Sequence, residues 1–296
     1  MICLSKYLRL PAVLFGLVVF HVNISGQTDI TKVVVRKTSS DSSGISRHTF
    51  YAGAGYGSDM VYLGSTISNR LPFYSGALTY GFRNSLFFSA SASHLSGIKA
   101  WLAYYSLSAN YSHTFNSWFD ISANMAGYAT QKNLQDTLFS NFGFLSFTTG
   151  FDWKLLYTRI SIAGILSDDV KGYILVANSR YFQTPEFLKG NAFISFNPEI
   201  SILSGEIIKI ETVTGVKKYG LSPPFRHYKK NPITTTDIYS SQFGLIDFEF
   251  SLPVTFNYKN VSIEAEPCYI LPAFRNPDFP ASKGFSVYLS VYIKIS

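Results

Sequence analysis

The sequence predicts an all-β chain that closes into an antiparallel transmembrane β-barrel of about twelve strands. Three observations predict it. From residue 48 onward apolar and polar residues alternate with period 2, the period of a strand with two unlike faces. The connections alternate between tight and long, which is the asymmetry of an outer-membrane barrel. Charged residues make up only 15% of the chain and aromatic residues 17%. A soluble domain carries about 25% charge, whereas a barrel with lipid outside and two aromatic girdles needs the balance seen here. Mean hydropathy is only +0.13. Beyond the N-terminus no apolar run reaches the roughly 18 residues of a spanning helix.

Residues 1–26 read as a signal peptide. Lys6 and Arg9 form a basic start, Leu10 to Val22 a short apolar run, and Ile24-Ser25-Gly26 a small-residue cleavage site before Gln27. An uncleaved anchor is the other reading, but the run is short for a span. Residues 27–47 are polar and Ser-rich and read as a flexible lead-in, which leaves 48–296 for the barrel. Of the two cysteines, Cys3 lies in the leader, so the mature chain keeps Cys268 alone and forms no internal disulfide. The net charge of +7 falls to +5 without Lys6 and Arg9. Such a charge suits anionic surfaces, and the leader argues against nucleic acid as a partner.

Strands are predicted over 48–57, 73–82, 85–94, 103–114, 117–129, 138–152, 155–165, 172–183, 190–203, 241–256, 260–271 and 284–295. The alternation is clearest in three of them. Leu86, Phe88, Ala90 and Ala92 oppose Phe87, Ser89, Ser91 and Ser93. Ile246, Phe248, Phe250 and Leu252 oppose Asp247, Glu249 and Ser251. Phe285, Val287, Leu289, Val291 and Ile293 oppose Ser286, Tyr288, Ser290 and Tyr292. No helix separates such sets onto two faces. Tight turns fall at Arg83-Asn84, Asn116-Ser117, Trp153-Lys154 and Lys259-Asn260, and long connections near 57–72, 95–102, 130–137, 166–171, 217–240 and 273–283.

Twelve is even, as single-chain bacterial barrels require. Ile207 to Val216 is also strand-like. Counted separately it makes thirteen strands and puts the Lys259-Asn260 turn on the wrong side, so it reads as the ninth strand continuing beyond the membrane. Fourteen is the next count. Pro198, Pro253 and Pro267 each remove a ladder donor and are expected at bulges or near the membrane rims. A secreted soluble β-sandwich is the rival fold.

The run Tyr56-Gly57-Ser58-Asp59-Met60-Val61-Tyr62-Leu63-Gly64 follows a Gly-rich first strand. Asp247 to Val254 and Glu266-Pro267-Cys268-Tyr269-Ile270-Leu271-Pro272 stand near the end of the chain. These stretches resemble small outer-membrane β-barrel proteins of the Bacteroidota, most of which have no assigned function. The resemblance spans most of 48–295 and is specific only in these runs. It implies the fold and a location in the bacterial outer membrane, and it carries no catalytic residue across. Many such barrels end in an aromatic residue, whereas this chain ends Ile295-Ser296, with Tyr292 the nearest aromatic.

No G-x-S-x-G, C-x-x-C or H-E-x-x-H motif is present. The glycines at 53, 55 and 57 precede no helix pattern, so they read as close packing in a strand and not as a phosphate cradle. His48, His94, His113 and His227 stand at no metal-ligand spacing. A hydrolase built from His94 with Ser91 or Ser93 is outweighed by a girdle histidine. No enzyme activity, cofactor or metal is expected.

If the apolar face meets lipid, the inward charges are Asp120, Asp152, Arg159, Arg180, Glu199, Asp247, Glu249, Glu264, Glu266 and Lys294. Such a set reads as a lumen charge network that fills or lines the bore, in preference to paired catalytic carboxylates. Lys217, Lys218, Arg226, Tyr228, Lys229 and Lys230 cluster in a long connection placed outside the cell, either as a solvated loop or as a surface for lipopolysaccharide or glycan. The expected partners are outer-membrane lipid and lipopolysaccharide, with the barrel-assembly machinery during biogenesis. Two functions remain open. One is a narrow passive pore or structural membrane component. The other is a non-conducting barrel whose surface loops bind glycan, lipopolysaccharide or a secretion partner.

Overall fold

The computed structural model describes residues 48–62, 65, 66, 68, 70–131, 141–167, 170–212, 217–221, 237–273 and 283–295. It forms a closed antiparallel barrel of twelve staves. The first are β1 (His48–Gly57), β4 (Phe73–Phe82), β5 (Leu86–Leu95), β6 (Tyr104–Asn116), β7 (Phe119–Thr130), β8 (Phe142–Asp152) and β9 (Tyr157–Leu166). Three staves are each built of two segments: β10 (Val170–Ser179) with β11 (Phe182–Gln183), β12 (Ala192–Phe196) with β13 (Glu199–Thr212), and β15 (Asp237–Ser251) with β16 (Val254–Tyr258). The last are β17 (Val261–Pro272) and β18 (Gly284–Lys294). The ring closes where β18 pairs with β1, from Tyr51↔Lys294 to Gly57↔Tyr288. A small hairpin of β2 (Val61–Tyr62) and β3 (Ser65–Thr66) lies in the first long connection. Strand β14 (Lys217–Leu221) pairs with the far end of β13.

The first and last staves begin and end at the same rim as the tight turns. Arg83 and Asn84 both have positive φ (51° and 54°), the geometry of a two-residue hairpin turn with the twist of the flanking strands. Lys154 and Lys259 adopt the same left-handed region. The Asn116 side chain accepts a bond of 3.0 Å from the amide of Trp118, and Asp152 one of 2.7 Å from that of Lys154. Polar side chains here stand in for the backbone partners that a tight turn leaves open.

Polarity is inverted relative to a soluble protein. Leu78, Leu107, Met125, Phe147, Ile162, Ile263 and Leu289 point outward and are exposed, Leu107 by 69%. Ser91, Ser106, Ser122, Thr148 and Ser161 point inward on neighbouring staves and are buried. Aromatic rings collect at both rims. At the tight-turn rim Phe115, Trp118, Phe119, Phe151 and Trp153 pack in a chain. At the other rim Tyr56, Tyr74, His94 and Trp101 do so. An apolar belt between two aromatic girdles is the exterior that hydrocarbon and its two interfaces select.

The structure corrects two expectations. The stretch after Lys217 is not wholly loop: 217–221 forms β14, and 237–240 already belongs to β15. Ile246 does not share the lipid face with Phe248. Leu203 pairs with Asp247 and Ser204 with Leu245, so a bulge takes up Ile246, which is buried inside. The segment from Ile207 does continue the ninth stave, to Thr212. The prolines at 198 and 253 separate β12 from β13 and β15 from β16, yet the register on both sides of each break is the same.

Candidate functional site

The interior falls into two halves. Phe73, Leu95, Tyr104, Phe142, Phe144 and Ile165 lie at stave ends nearest the long connections and pack into one apolar cluster. Two residues of the first long connection, Met60 and Val61, are buried in the same cluster, at 0% and 1% exposure. The part of the connection that carries Met60 and Val61 therefore turns into the mouth of the barrel. A small hydroxyl network holds it there. The Asp59 carboxylate accepts from the Thr66 hydroxyl and, at 2.7 Å, from the Ser68 hydroxyl. The Ser68 hydroxyl in turn accepts from the Met60 amide at 2.9 Å, and the Thr66 hydroxyl from the Arg70 amide at 3.0 Å. Both ends are tied down as well: the Ser58 amide donates to the Val287 carbonyl at 3.0 Å, and the Arg70 guanidinium to the Lys283 carbonyl at 3.3 Å.

Below the apolar cluster the inward side chains are polar and closely packed. Large rings lie over glycines of adjacent staves. Near the mouth a Cβ at Gly57 would run into the Phe73 and Tyr288 rings and one at Gly205 into the Tyr173 ring; lower down one at Gly81 would run into the Phe87 ring and one at Gly150 into the Tyr157 ring. This is why a wall with many serines and glycines still leaves its interior filled. Sequence reasoning read Gly57, with Gly53 and Gly55, as close packing; the partners become visible only through the register.

The charges predicted for the interior are distributed unevenly. Arg159, which is buried, and Glu199, which is partly buried, meet at 2.5 Å. Asp120, 2% exposed, accepts from the Tyr157 hydroxyl at 3.0 and 3.1 Å, on the stave that carries Arg159. Glu264 accepts from the Thr255 hydroxyl at 2.7 Å. Glu249, Glu266 and Asp247 are buried inward residues of the same two staves, β15 and β17. Lys294 stands on the inward register of β18, beside Tyr51. Asp152 serves a tight turn instead. Arg180 lies in the break between β10 and β11, on the parity of the outward residues Ile174 and Val176. A second ion pair, Lys171 with Glu206 at 3.3 Å, lies toward the mouth and was not singled out from the sequence. No spacing rule connects residues 35 apart until the stave pairing is known.

His94 does not meet Ser91 or Ser93. The two serines face inward, while His94 alternates outward, its Nδ1 3.0 Å from the Trp101 carbonyl oxygen. A strand cannot bring side chains of opposite parity to one point. Among the described residues no group of three or more His, Cys, Asp and Glu side chains is placed to hold a metal ion. Of the basic surface cluster, Lys217 and Lys218 lie in β14, with backbones paired to Glu211 and Ile210. Arg226, Tyr228, Lys229 and Lys230 lie outside the described residues.

No protein-family model matches the chain, and no curated protein matches it. Among solved structures it is similar to LpxR from Salmonella typhimurium, at 7% identity and a TM-score of 0.47, over 82% of this chain and 99% of that one. It is similar to the NanC porin at 11% identity and a TM-score of 0.44, over 83% and 100%. Against Omp33 of Acinetobacter baumannii the values are 9%, 0.35, 84% and 98%. These likenesses carry no residue across. The closed ladder, the inverted polarity and the two girdles define the class of this chain: a β-barrel of the bacterial outer membrane.

Proposed function

We propose that this protein is a closed, non-conducting outer-membrane barrel, exported on its leader 1–26, that serves as a structural or binding component of the membrane and not as a standing pore. One observation carries the reading: Met60 and Val61 of connection 58–72 are buried in the barrel mouth among inward rings of the staves. A water-filled bore exposes its lining. Here Asp120, Arg159, Asp247 and Glu264 are all buried although they face inward. A barrel of twelve strands lies between the eight that side chains fill and the sixteen that leave a channel, and bulky rings set over glycines favour filling.

The test is liposome swelling with small sugars. Vesicles carrying the barrel should swell no faster than protein-free vesicles. Rapid swelling with the intact protein would overturn the reading.

A further inference from the structure

Pro198, Pro253 and Pro267 fall on three consecutive staves, and the register brings them to one level of the wall. Pairing is in phase on both sides of each break: Ser179↔Glu199 with Phe182↔Phe196, Glu199↔Ser251 with Phe196↔Val254, and Ser251↔Cys268 with Val254↔Ala265. Arg180, Pro198, Leu252 and Pro267 therefore stand side by side in one row, with Pro253 one residue along from Leu252. Each proline completes half of a hydrogen-bonded pair. The Arg180 amide donates to the Pro198 carbonyl at 3.2 Å, the Asn197 amide to the Pro253 carbonyl at 3.0 Å, and the Leu252 amide to the Pro267 carbonyl at 3.0 Å. The return bond is missing each time, because proline has no N–H. Three successive seams thus lose a bond at the same level, in a medium where no water replaces it. The other described prolines, Pro72, Pro185 and Pro272, sit at or beyond strand ends.

We propose that this row is a lateral opening in the barrel wall, at which the polar head of a membrane amphiphile, its hydrocarbon tail left in the lipid, reaches the polar side chains behind the wall. Apolar approach is supplied outside by Phe196, Phe250, Leu252 and Val254, all exposed. Inside, Asn197 and Glu266 flank Pro253, and the Glu199 carboxylate that holds Arg159 is two residues beyond Asn197. The row offers a polar head hydrogen-bonding partners immediately behind a weakened wall. Closure of the mouth is tested separately by solute flux, so the two readings fail independently.

Cys268 reports on the opening. It is adjacent to Pro267, faces inward and is 2% exposed. The experiment labels the purified protein in phospholipid vesicles with a pyrenyl maleimide, which partitions into the bilayer, and with a charged maleimide, which does not; labelling at Cys268 is read by peptide mass. The pyrenyl reagent should label faster than the charged one. Pro198→Val, Pro253→Thr and Pro267→Val each return a donor to the ladder, and each should slow pyrenyl labelling roughly fivefold. Equal pyrenyl rates in the parent and the triple variant would overturn the proposal, as would equally fast labelling by the charged reagent. Should the variants fail to fold, hydrogen exchange of the parent decides: the amides of Arg180, Asn197 and Leu252 should exchange at least tenfold faster than those of Ser122 and Thr148 in the uninterrupted wall. Equal protection would sink the idea.

Discussion

Replacing Asp59 with alanine removes the acceptor around which the mouth connection folds. Two hydroxyls, those of Thr66 and Ser68, donate to its carboxylate. A hydrogen bond to a charged group contributes about 1.5–3 kcal/mol, and the variant escapes the cost of holding a carboxylate away from water. The net loss is about 2–3 kcal/mol, a rise of roughly 30- to 150-fold in the open population. Met60 and Val61 remain to hold the connection in place, each contributing about 1.5–3 kcal/mol through burial, so the variant stays mostly docked and opens more often. Hydrogen exchange reads this at two amides, Met60 and Arg70, whose acceptors are the Ser68 and Thr66 hydroxyls. Both should exchange faster by that factor, while amides of the β7–β8 ladder are unchanged. Asp59→Asn keeps an acceptor and should fall between. Exchange at Met60 and Arg70 within threefold of the parent would refute the network as the holder of the mouth.

Other perturbations separate the parts of the account. Arg159→Ala takes the guanidinium from the partly buried Glu199 carboxylate and should lower stability to urea by about 1.5–3 kcal/mol; pairing it with Glu199→Gln should recover most of the loss. Gly205→Val pushes a side chain into the Tyr173 ring and should cost about 1–3 kcal/mol, with partial rescue by Tyr173→Ala. Leu107→Arg places a charge in the middle of the outward belt and should cost about 2–4 kcal/mol in bilayers. A cost near zero for Leu107→Arg would mean that this face does not meet lipid.

The strand count was legible because it rests on parity. Alternating tight and long connections admit only even numbers, and that rule correctly kept Ile207 to Thr212 in the ninth stave. Individual faces were legible wherever the pleat is regular, as in β5 and β18. They failed at Ile246, where a bulge resets the alternation without any mark in composition. The three prolines could be flagged one by one, but their shared level depends on pairings between residues up to 58 positions apart, as Phe196 with Val254. In the sequence the mouth connection stands out only within the run Tyr56 to Gly64, whose resemblance to other barrels does not reveal its place in the fold. Met60 and Val61 become core residues only because eleven of the twelve staves bring inward residues into the same cluster. The link between Arg159 and Glu199 is of the same kind, since the intervening stave has to be placed first.

The central claim is that the mouth is shut. Conductance across a planar bilayer tests it most directly, with insertion verified by heat-dependent gel mobility. The account predicts an inserted barrel that passes no steady current. Stable open steps from the intact protein at low voltage would contradict it.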